Sequence, residues 1–191
     1  MLPIMPLLMA LLTTATSALP STLGKRSCSY IYQPQLYRIA SHVPESSSGM
    51  TTTPFYVAND IGRKDLVISF RNIPGDARGC QLEFDYQPNH NSVISQQDGN
   101  VGLINVDRVS DGGNFPYPIT WTNTEERTAE WLGMWEFPTG NELKAPVVKF
   151  IASFQCSPIQ TFRFSLADPD AYGYVSDDED LSSGLRISYN C

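Results

Sequence analysis

Apolar and polar side chains alternate along much of the chain, with a repeat of two residues rather than 3.6. Five sets of alternating apolar residues stand out: Leu66, Ile68 and Phe70; Leu82, Phe84 and Tyr86; Val148, Phe150, Ala152 and Phe154; Phe162, Phe164 and Leu166; and Leu185, Ile187 and Tyr189. A repeat of two places every second side chain on the same face of a pleated strand. Each set therefore predicts a strand with its apolar members on one buried face and their polar neighbours in water.

Weaker alternation predicts further strands at 35–39, 54–57, 101–109, 118–121 and 128–136. Short clusters of Gly, Pro, Asn and Asp separate these segments, as they do in turns. No segment has the pattern of a convincing amphipathic helix. About ten short strands with frequent turns predict one all-β domain, an antiparallel β-sandwich, with a closed barrel as the main alternative.

The N-terminal segment does not follow this pattern. It contains a short apolar run at 7–12, and Thr16-Ser17-Ala18 places small residues where a signal peptidase cleaves. We therefore predict a cleaved signal peptide over residues 1–18, which is too short to span a membrane.

A dibasic pair, Lys25-Arg26, follows the predicted signal peptide in a glycine-containing stretch. Such a pair suits a secretory-pathway protease, so a short propeptide over residues 19–26 is predicted, with two ordinary solvated charges as the alternative. The mature domain is then expected to cover residues 27–191.

The charge balance excludes some partners. The chain has 20 acidic and 13 basic residues, a formal net charge of −7, and loss of Lys25 and Arg26 leaves 11 basic residues and a net charge of −9. Without a basic cluster, nucleic acids and anionic membrane surfaces are not expected as partners. No second apolar run reaches the length of a membrane span.

The four cysteines, Cys28, Cys80, Cys156 and Cys191, all lie in the predicted mature domain. An even number after a secretory signal predicts two disulfide bonds, with three possible pairings. Cys28 starts the first predicted strand region and Cys191 ends the last one, so antiparallel pairing of these strands would place the two side by side. Cys80 likewise starts a strand and Cys156 ends one. The pairs Cys28–Cys191 and Cys80–Cys156 are therefore favoured. The cysteines stand at least 35 residues apart, so a metal site is not expected.

Catalytic motifs are absent from the sequence. It contains no G-x-S-x-G, H-E-x-x-H or P-loop pattern, and its two histidines, His42 and His90, lie in polar loop segments. We therefore expect no catalytic residues, no cofactor and no enzymatic activity.

The acidic residues leave open two alternative functions, glycoside hydrolysis and calcium binding. Glycosidases need two carboxyl groups about 5–9 Å apart, for which Glu83 with Asp85 and Glu130 with Glu136 are candidates, although strand alternation alone also produces outward acids. The acidic run at 177–180 could supply oxygen ligands to calcium, but a solvated acidic turn is the simpler interpretation.

Tryptophans give the strongest indication of binding. Trp121, Trp131 and Trp135 fall within fifteen residues, and exposed indole rings stack on sugar rings or anchor protein interfaces. Trp131 and Trp135 have the same parity, so a regular strand would place both on one face. That face is either a ligand-binding surface or part of the core.

The strands also carry a family pattern. Its residues are Gln33-Pro34-Gln35-Leu36-Tyr37, Val67-Ile68-Ser69-Phe70 before Ile73-Pro74, Gly79-Cys80-Gln81-Leu82-Glu83-Phe84, Ile119-Thr120-Trp121-Thr122-Asn123, Ser153-Phe154-Gln155-Cys156-Ser157-Pro158, and the ending Gly184-Leu185-Arg186-Ile187-Ser188-Tyr189-Asn190-Cys191. In order and spacing, the chain from about Tyr30 to Cys191 resembles the C-terminal domain family of the fungal Uba-three-binding protein But-two.

This resemblance implies a β-sandwich found in secreted or cell-wall-associated fungal proteins, with no established enzymatic activity. Together with the leader and the cysteines, it predicts a secreted, non-enzymatic binding or structural module of the cell wall or extracellular space. The expected partner is a cell-wall polysaccharide or an unknown protein. The alternatives are an effector-like protein that binds a host protein and, less favoured, a carbohydrate-active enzyme.

Overall fold

The computed structural model describes residues 27–32, 34–47, 50–51, 55–86, 92–110, 118–137, 145–177 and 184–191. In these ranges the strands are β1 (Ser29–Ile31), β2 (Gln35–Ala40), β3 (Met50–Thr51), β4 (Tyr56–Asn59), β5 (Arg63–Phe70), β6 (Cys80–Tyr86), β7 (Ser92–Asp98), β8 (Leu103–Val109), β9 (Thr128–Glu136), β10 (Val147–Phe154), β11 (Gln160–Leu166), β12 (Tyr172–Asp177) and β13 (Gly184–Tyr189). One helix, α1 (Trp121–Arg127), precedes β9. The predicted all-β fold is confirmed.

The strands form two antiparallel sheets. The four-stranded sheet has the order β1-β13-β6-β10, and the nine-stranded sheet follows β7-β12-β4-β5-β11-β8-β9, with β2 paired to β5 and β3 paired to β2. Apolar residues from both sheets belong to one buried cluster, so the sheets pack face to face. This arrangement is the β-sandwich expected from the alternation.

Aromatic rings fill the centre of this core. Five rings are joined by contacts with centroids 5.1–6.4 Å apart, in edge-on, tilted and stacked pairs: Phe55, Phe84, Trp135, Phe137 and Phe164. Phe84 comes from the four-stranded sheet, whereas Trp135 and Phe164 come from the nine-stranded sheet. The aromatic pairs therefore join the two layers directly.

One predicted strand is wrong. Residues 118–121 do not form a strand, because Thr120 caps the N-terminus of α1. Its hydroxyl accepts a hydrogen bond from the backbone N–H of Asn123, whose side chain in turn accepts one from the backbone N–H of Thr120. This reciprocal capping box starts a helix where the aromatic and β-branched residues suggest a strand.

The outer face of the nine-stranded sheet is partly covered, which the alternation does not predict. Five polar residues expected to face water are buried: Asp65, Ser69, Thr161, Arg163 and Ser165. Ile119 and Trp121, at the start of the helical segment, pack on this face against Tyr37, Ile39 and Val67. A second, smaller core therefore lies outside the sandwich.

The four apolar residues of β10 do not share one face, contrary to expectation. Pairing with β6 is regular as far as Phe150 and resumes at Ala152, so Ile151 is an inserted residue. Such a bulge shifts the alternation by one. Val148 and Phe150 are consequently 48% and 58% exposed on the outer face, whereas Ala152 is buried.

The disulfide bonds are Cys28–Cys191 and Cys80–Cys156, the pairing favoured from the sequence. The first joins the start of β1 to the end of β13, which pair in the same sheet, and the second joins β6 to the end of β10. Two disulfides fit an extracellular protein. In the part of the chain that the structure describes, no helix combines the length and apolar character of a membrane-crossing segment.

Candidate functional site

The three tryptophans singled out by the sequence lie in three environments. Trp131 is 60% exposed on the outer face of the nine-stranded sheet, Trp121 is half-buried above the same face, and Trp135 is 4% exposed in the core. Trp121 and Trp131 therefore share one side of the molecule, and Trp135 has a packing role.

A β-bulge at Leu132 separates the two tryptophans of β9. Trp131 pairs with Asp107, whereas Gly133, two residues later, pairs with the adjacent residue of β8. The extra residue moves Trp135 to the opposite face. The expectation that both tryptophans lie on one face is wrong.

A hydrogen bond to a polar neighbour orients the ring of Trp131. Its indole Nε1–H donates a hydrogen bond to Oδ1 of Asn105, at 3.3 Å. Asn105 pairs with Met134, which is 55% exposed on the same face. Because the amide oxygen accepts the indole N–H, the amide NH₂ of Asn105 is the group left to donate to a ligand.

A row of side chains leads from Trp131 towards the helix. Asp107 pairs with Trp131 on one side and with Arg163 of β11 on the other. The guanidinium carbon of Arg163 lies 4.5 Å from the ring centroid of Trp121, a cation–π contact. We call the surface formed by Asn105, Asp107, Trp121, Trp131, Met134 and Arg163 the tryptophan face.

A buried ion pair with Asp65 fixes the side chain of Arg163. Its Nε and Nη2 lie 2.8 and 2.7 Å from Oδ2 of Asp65, which is 1% exposed. Burial raises the pKa of Asp65, and the positive charge of Arg163 opposes the shift. With its guanidinium held between a carboxylate and an indole, Arg163 fixes the position of Trp121.

The helix holds Trp121 from its other side. The indole N–H of Trp121 donates to the carboxylate of Glu125, one turn later, at 3.2 Å. Thr122 donates its backbone N–H to the carbonyl of Pro44 and its hydroxyl to the carboxylate of Glu45. The seven-residue helix is therefore attached to the turn after β2 as well as to the sheet.

Asp107 is the titratable residue that pairs across the strands with Trp131. Partial burial raises the pKa of its carboxyl, against the opposing charges of Arg163 and Arg63. The tryptophan face thus offers one exposed indole, a thioether, an amide and a carboxyl group whose charge is balanced by neighbouring arginines. Such a surface can stack on a ring and form hydrogen bonds, and it holds no activated nucleophile.

The first pair of candidate glycosidase acids is engaged in ion pairs on the other sheet. Arg186 donates from Nε to Glu83 at 2.9 Å and from Nη1 to Asp85 at 2.6 Å. Ser188 donates to the second oxygen of Glu83, at 2.9 Å. The two carboxylates therefore share one guanidinium between them.

The second pair of acids is separated along β9. Glu130 lies 2.8 Å from Nη2 of Arg108 in a partly exposed ion pair, and Glu136 pairs in register with Leu103 near the other end of the strand. Six residues of strand correspond to roughly 20 Å, more than a pair of glycosidase carboxyls spans.

The remaining candidates do not form a site. His42 lies exposed in the turn after β2, and Asp177, at the end of β12, is buried with its backbone N–H bonded to the carbonyl of Phe55. Lys25, Arg26, His90 and residues 178–180 lie outside the described residues. Across the described ranges, no group of three or more His, Cys, Asp or Glu side chains is placed to hold a metal ion.

No model of a known protein family matches the chain, and no curated protein matches it.

Sequence reasoning missed most of the residues around Trp121 and Trp131. Asn105, Asp107 and Arg163 are polar residues of strands, and alternation alone assigns them to solvent. The Thr120-x-x-Asn123 spacing was the available signal, since it is the sequence pattern of a capped helix beginning at Trp121. No local signal predicts that Arg163 meets Asp65, 98 residues away.

Proposed function

We propose that the chain is an exported, non-enzymatic β-sandwich that binds polysaccharide of the cell wall or extracellular space through the tryptophan face. The carrying observation is Trp131, an indole that is 60% exposed yet oriented by its hydrogen bond to Asn105. A large apolar ring left in water but fixed in position is suited to stacking on the C–H face of a sugar.

Several features support binding rather than catalysis. Glycoside hydrolysis needs one carboxyl that holds a proton and a second that attacks or activates water. Glu83 and Asp85 are instead bound to Arg186, and Glu130 is bound to Arg108. Carboxylates held by arginine in this way are not free to orient a sugar or an attacking water.

Export is supported by the disulfides and by the sequence that precedes the domain. Both bonds join strands of the sandwich, and such bonds persist in oxidising compartments. The apolar run with its small-residue cleavage pattern at 16–18 and the Lys25-Arg26 pair fit passage through a secretory pathway. The resemblance to the But-two C-terminal domain family points to the same environment.

Calorimetric titration of the mature protein with a β-glucan hexasaccharide and a chitin hexasaccharide tests the proposal. We expect one of them to bind, and Trp131→Ala to weaken binding at the tryptophan face at least tenfold, because a central aromatic contact commonly contributes more than about 1.4 kcal/mol. Tyr172→Ala is the matched control, since Tyr172 is a 43% exposed aromatic residue on a different part of the sheet.

Two results would contradict the proposal. If neither sugar gives a heat of binding, the polysaccharide assignment is wrong and a protein ligand is favoured. Hydrolysis of either sugar by the purified protein contradicts the non-enzymatic assignment.

A further inference from the structure

We propose that the outer face of the four-stranded sheet is a second polysaccharide-binding site, so that one molecule bridges two glycan chains. This inference rests on the proposed function and extends it from binding to cross-linking. We call this surface the tyrosine face; its residues are Tyr30, Tyr32, Gln81, Glu83, Asp85, Val148, Phe150, Arg186 and Ser188.

Strand register places these side chains in rows across the sheet. Arg186 pairs with Glu83, and Glu83 pairs with Phe150 on the other side. Tyr30 pairs with Ser188 in the adjacent row. At about 4.8 Å between strands, the three strand spacings from β1 to β10 place the tyrosines of β1 and Phe150 about 14 Å apart, at opposite borders of the sheet.

Tyr30, like Trp131, is an exposed ring held by a polar neighbour, here through a cation–π contact rather than a hydrogen bond. The guanidinium carbon of Arg186 lies 4.4 Å from the ring centroid of Tyr30, which supports one face of the ring, while 44% of the residue is exposed. Tyr32 accepts a hydrogen bond from Nη1 of Arg186 at 3.0 Å and is 37% exposed. Both rings are therefore oriented by a polar partner and remain accessible to a ligand.

The charged groups of the tyrosine face contact one another. Arg186 is 9% exposed at its side chain and contacts both Glu83 and Asp85, which are 13% and 14% exposed. Because two carboxylates share one guanidinium, this group keeps a net charge of −1, which disfavours anionic ligands. Hydroxyl-rich neutral ligands, by contrast, can use the lone pairs and N–H groups that remain.

The distribution of polar and apolar groups also favours a glycan over a protein. Protein interfaces place their aromatic anchors at the centre, surrounded by a polar rim. Here Arg186, Glu83 and Ser188 occupy the middle, while Tyr30 and Phe150 lie at the two borders. Spaced aromatic rings with hydrogen-bonding groups between them suit a chain of linked sugar rings.

The two faces belong to opposite layers of the sandwich. Trp131 lies on the outer side of the nine-stranded sheet and Tyr30 on the outer side of the four-stranded sheet, with the common core between them. Because these outer sides point in opposite directions, each is expected to hold its own chain. When both faces are occupied, the protein cross-links two glycan chains.

Stoichiometry tests this inference. We expect calorimetry to give two molecules of the β-glucan or chitin hexasaccharide per protein, and one per protein for Tyr30→Ala, Phe150→Ala or Trp131→Ala. The wild-type protein is expected to make a solution of the corresponding soluble polysaccharide turbid, and each of these variants to abolish the turbidity. Tyr172→Ala, with circular dichroism as a folding check, is expected to behave as the wild type.

The outcomes separate this inference from the proposed function. One sugar bound per wild-type protein, lost in Trp131→Ala and unchanged in Phe150→Ala, overturns the second site and leaves the first. No binding to the wild-type protein overturns both. Phe150→Ala keeps the test informative if Tyr30→Ala does not fold, because Phe150 is exposed at the sheet border and is not part of the Arg186 ion pairs.

Discussion

The indole rings of Trp131 and Trp135 point to opposite faces of one strand, although only three residues lie between them. Trp131 is 60% exposed beside Asn105, and Trp135 is 4% exposed among the aromatic rings of the core. The bulge at Leu132 causes the difference. One inserted residue thus divides two identical side chains between a surface position and a packing position.

The two tryptophans should differ sharply in their effect on stability. We expect Trp135→Ala to lower the free energy of unfolding by about 3–5 kcal/mol, because it empties a site lined by Phe55, Phe84 and Phe137. Trp131→Ala should change it by less than about 0.5 kcal/mol. Urea unfolding of both variants measures this, and equal losses would show that the assigned faces are wrong.

Asp65 is expected to be required for folding stability because its partner is buried. Asp65→Ala leaves the guanidinium of Arg163 without its carboxylate, which should cost about 3–5 kcal/mol. The double variant Asp65→Leu, Arg163→Met removes both charges and should recover most of that loss. A double variant as unstable as Asp65→Ala would mean that the charge pairing is not the cause.

The pKa of Asp107 predicts a dependence of stability on pH. Burial raises this pKa in the folded protein, with Arg163 and Arg63 opposing the shift. A carboxyl with a raised folded pKa stabilises the fold fully below its unfolded pKa, about 3.9, and loses that contribution as the pH rises through the folded value. Asp107→Asn should therefore lose less stability than the wild type between pH 4 and 7. Urea unfolding at several pH values checks this, and parallel curves for the two proteins would contradict it.

Two glycines in positive-φ conformations should respond differently to substitution. A Cβ at Gly173 would collide with the backbone carbonyl of Ser95 on β7, whereas one at Gly133 meets no atom within 4 Å. Gly133→Ala should show backbone strain alone, of about 1–3 kcal/mol. Gly173→Ala should lose about 1–3 kcal/mol more, because β7 must move away from β12. Thermal unfolding of the two variants gives the comparison, and equal losses would contradict the close approach.

The two disulfides should be reduced in a fixed order. Cys191 is exposed, whereas Cys80 is fully buried, so a mild reductant should open Cys28–Cys191 first. Each bond closes a long loop, with separations of 163 and 76 residues, and loss of either should destabilise the fold by about 2–5 kcal/mol. Alkylation followed by mass spectrometry during reduction reports the order. Opening of the inner bond first would contradict the prediction.

Sequence pattern predicts the inner faces of the sandwich well, because burial on one side of a strand leaves a repeat of two. Leu66, Leu82 and Phe164 all lie in the core as expected. Strand β7 is not predicted, because its sequence of Ser, Val, Ile and Gln lies at the border of a sheet and buries little. Without burial, no apolar repeat forms.

The candidate site is less predictable for three physical reasons. A bulge such as that at Leu132 inserts a single residue into a strand, and the amino-acid composition does not reveal it. A capping box turned Trp121 from an expected strand residue into the first residue of a helix. The contacts of Arg163 with Asp65 and of Arg186 with Glu83 join residues about 100 positions apart, and pairing over such distances is set by the fold as a whole.

The bond between Cys28 and Cys191 determines how the domain responds to tension. It joins the start of β1 to the end of β13, so a pull on the chain outside these two residues is carried by the sulfur–sulfur link. The hydrogen-bonded ladders then bear none of the load. A domain held in this way cannot be drawn out into an extended strand until the link is chemically broken, and the outer faces of its two sheets keep their shape under load.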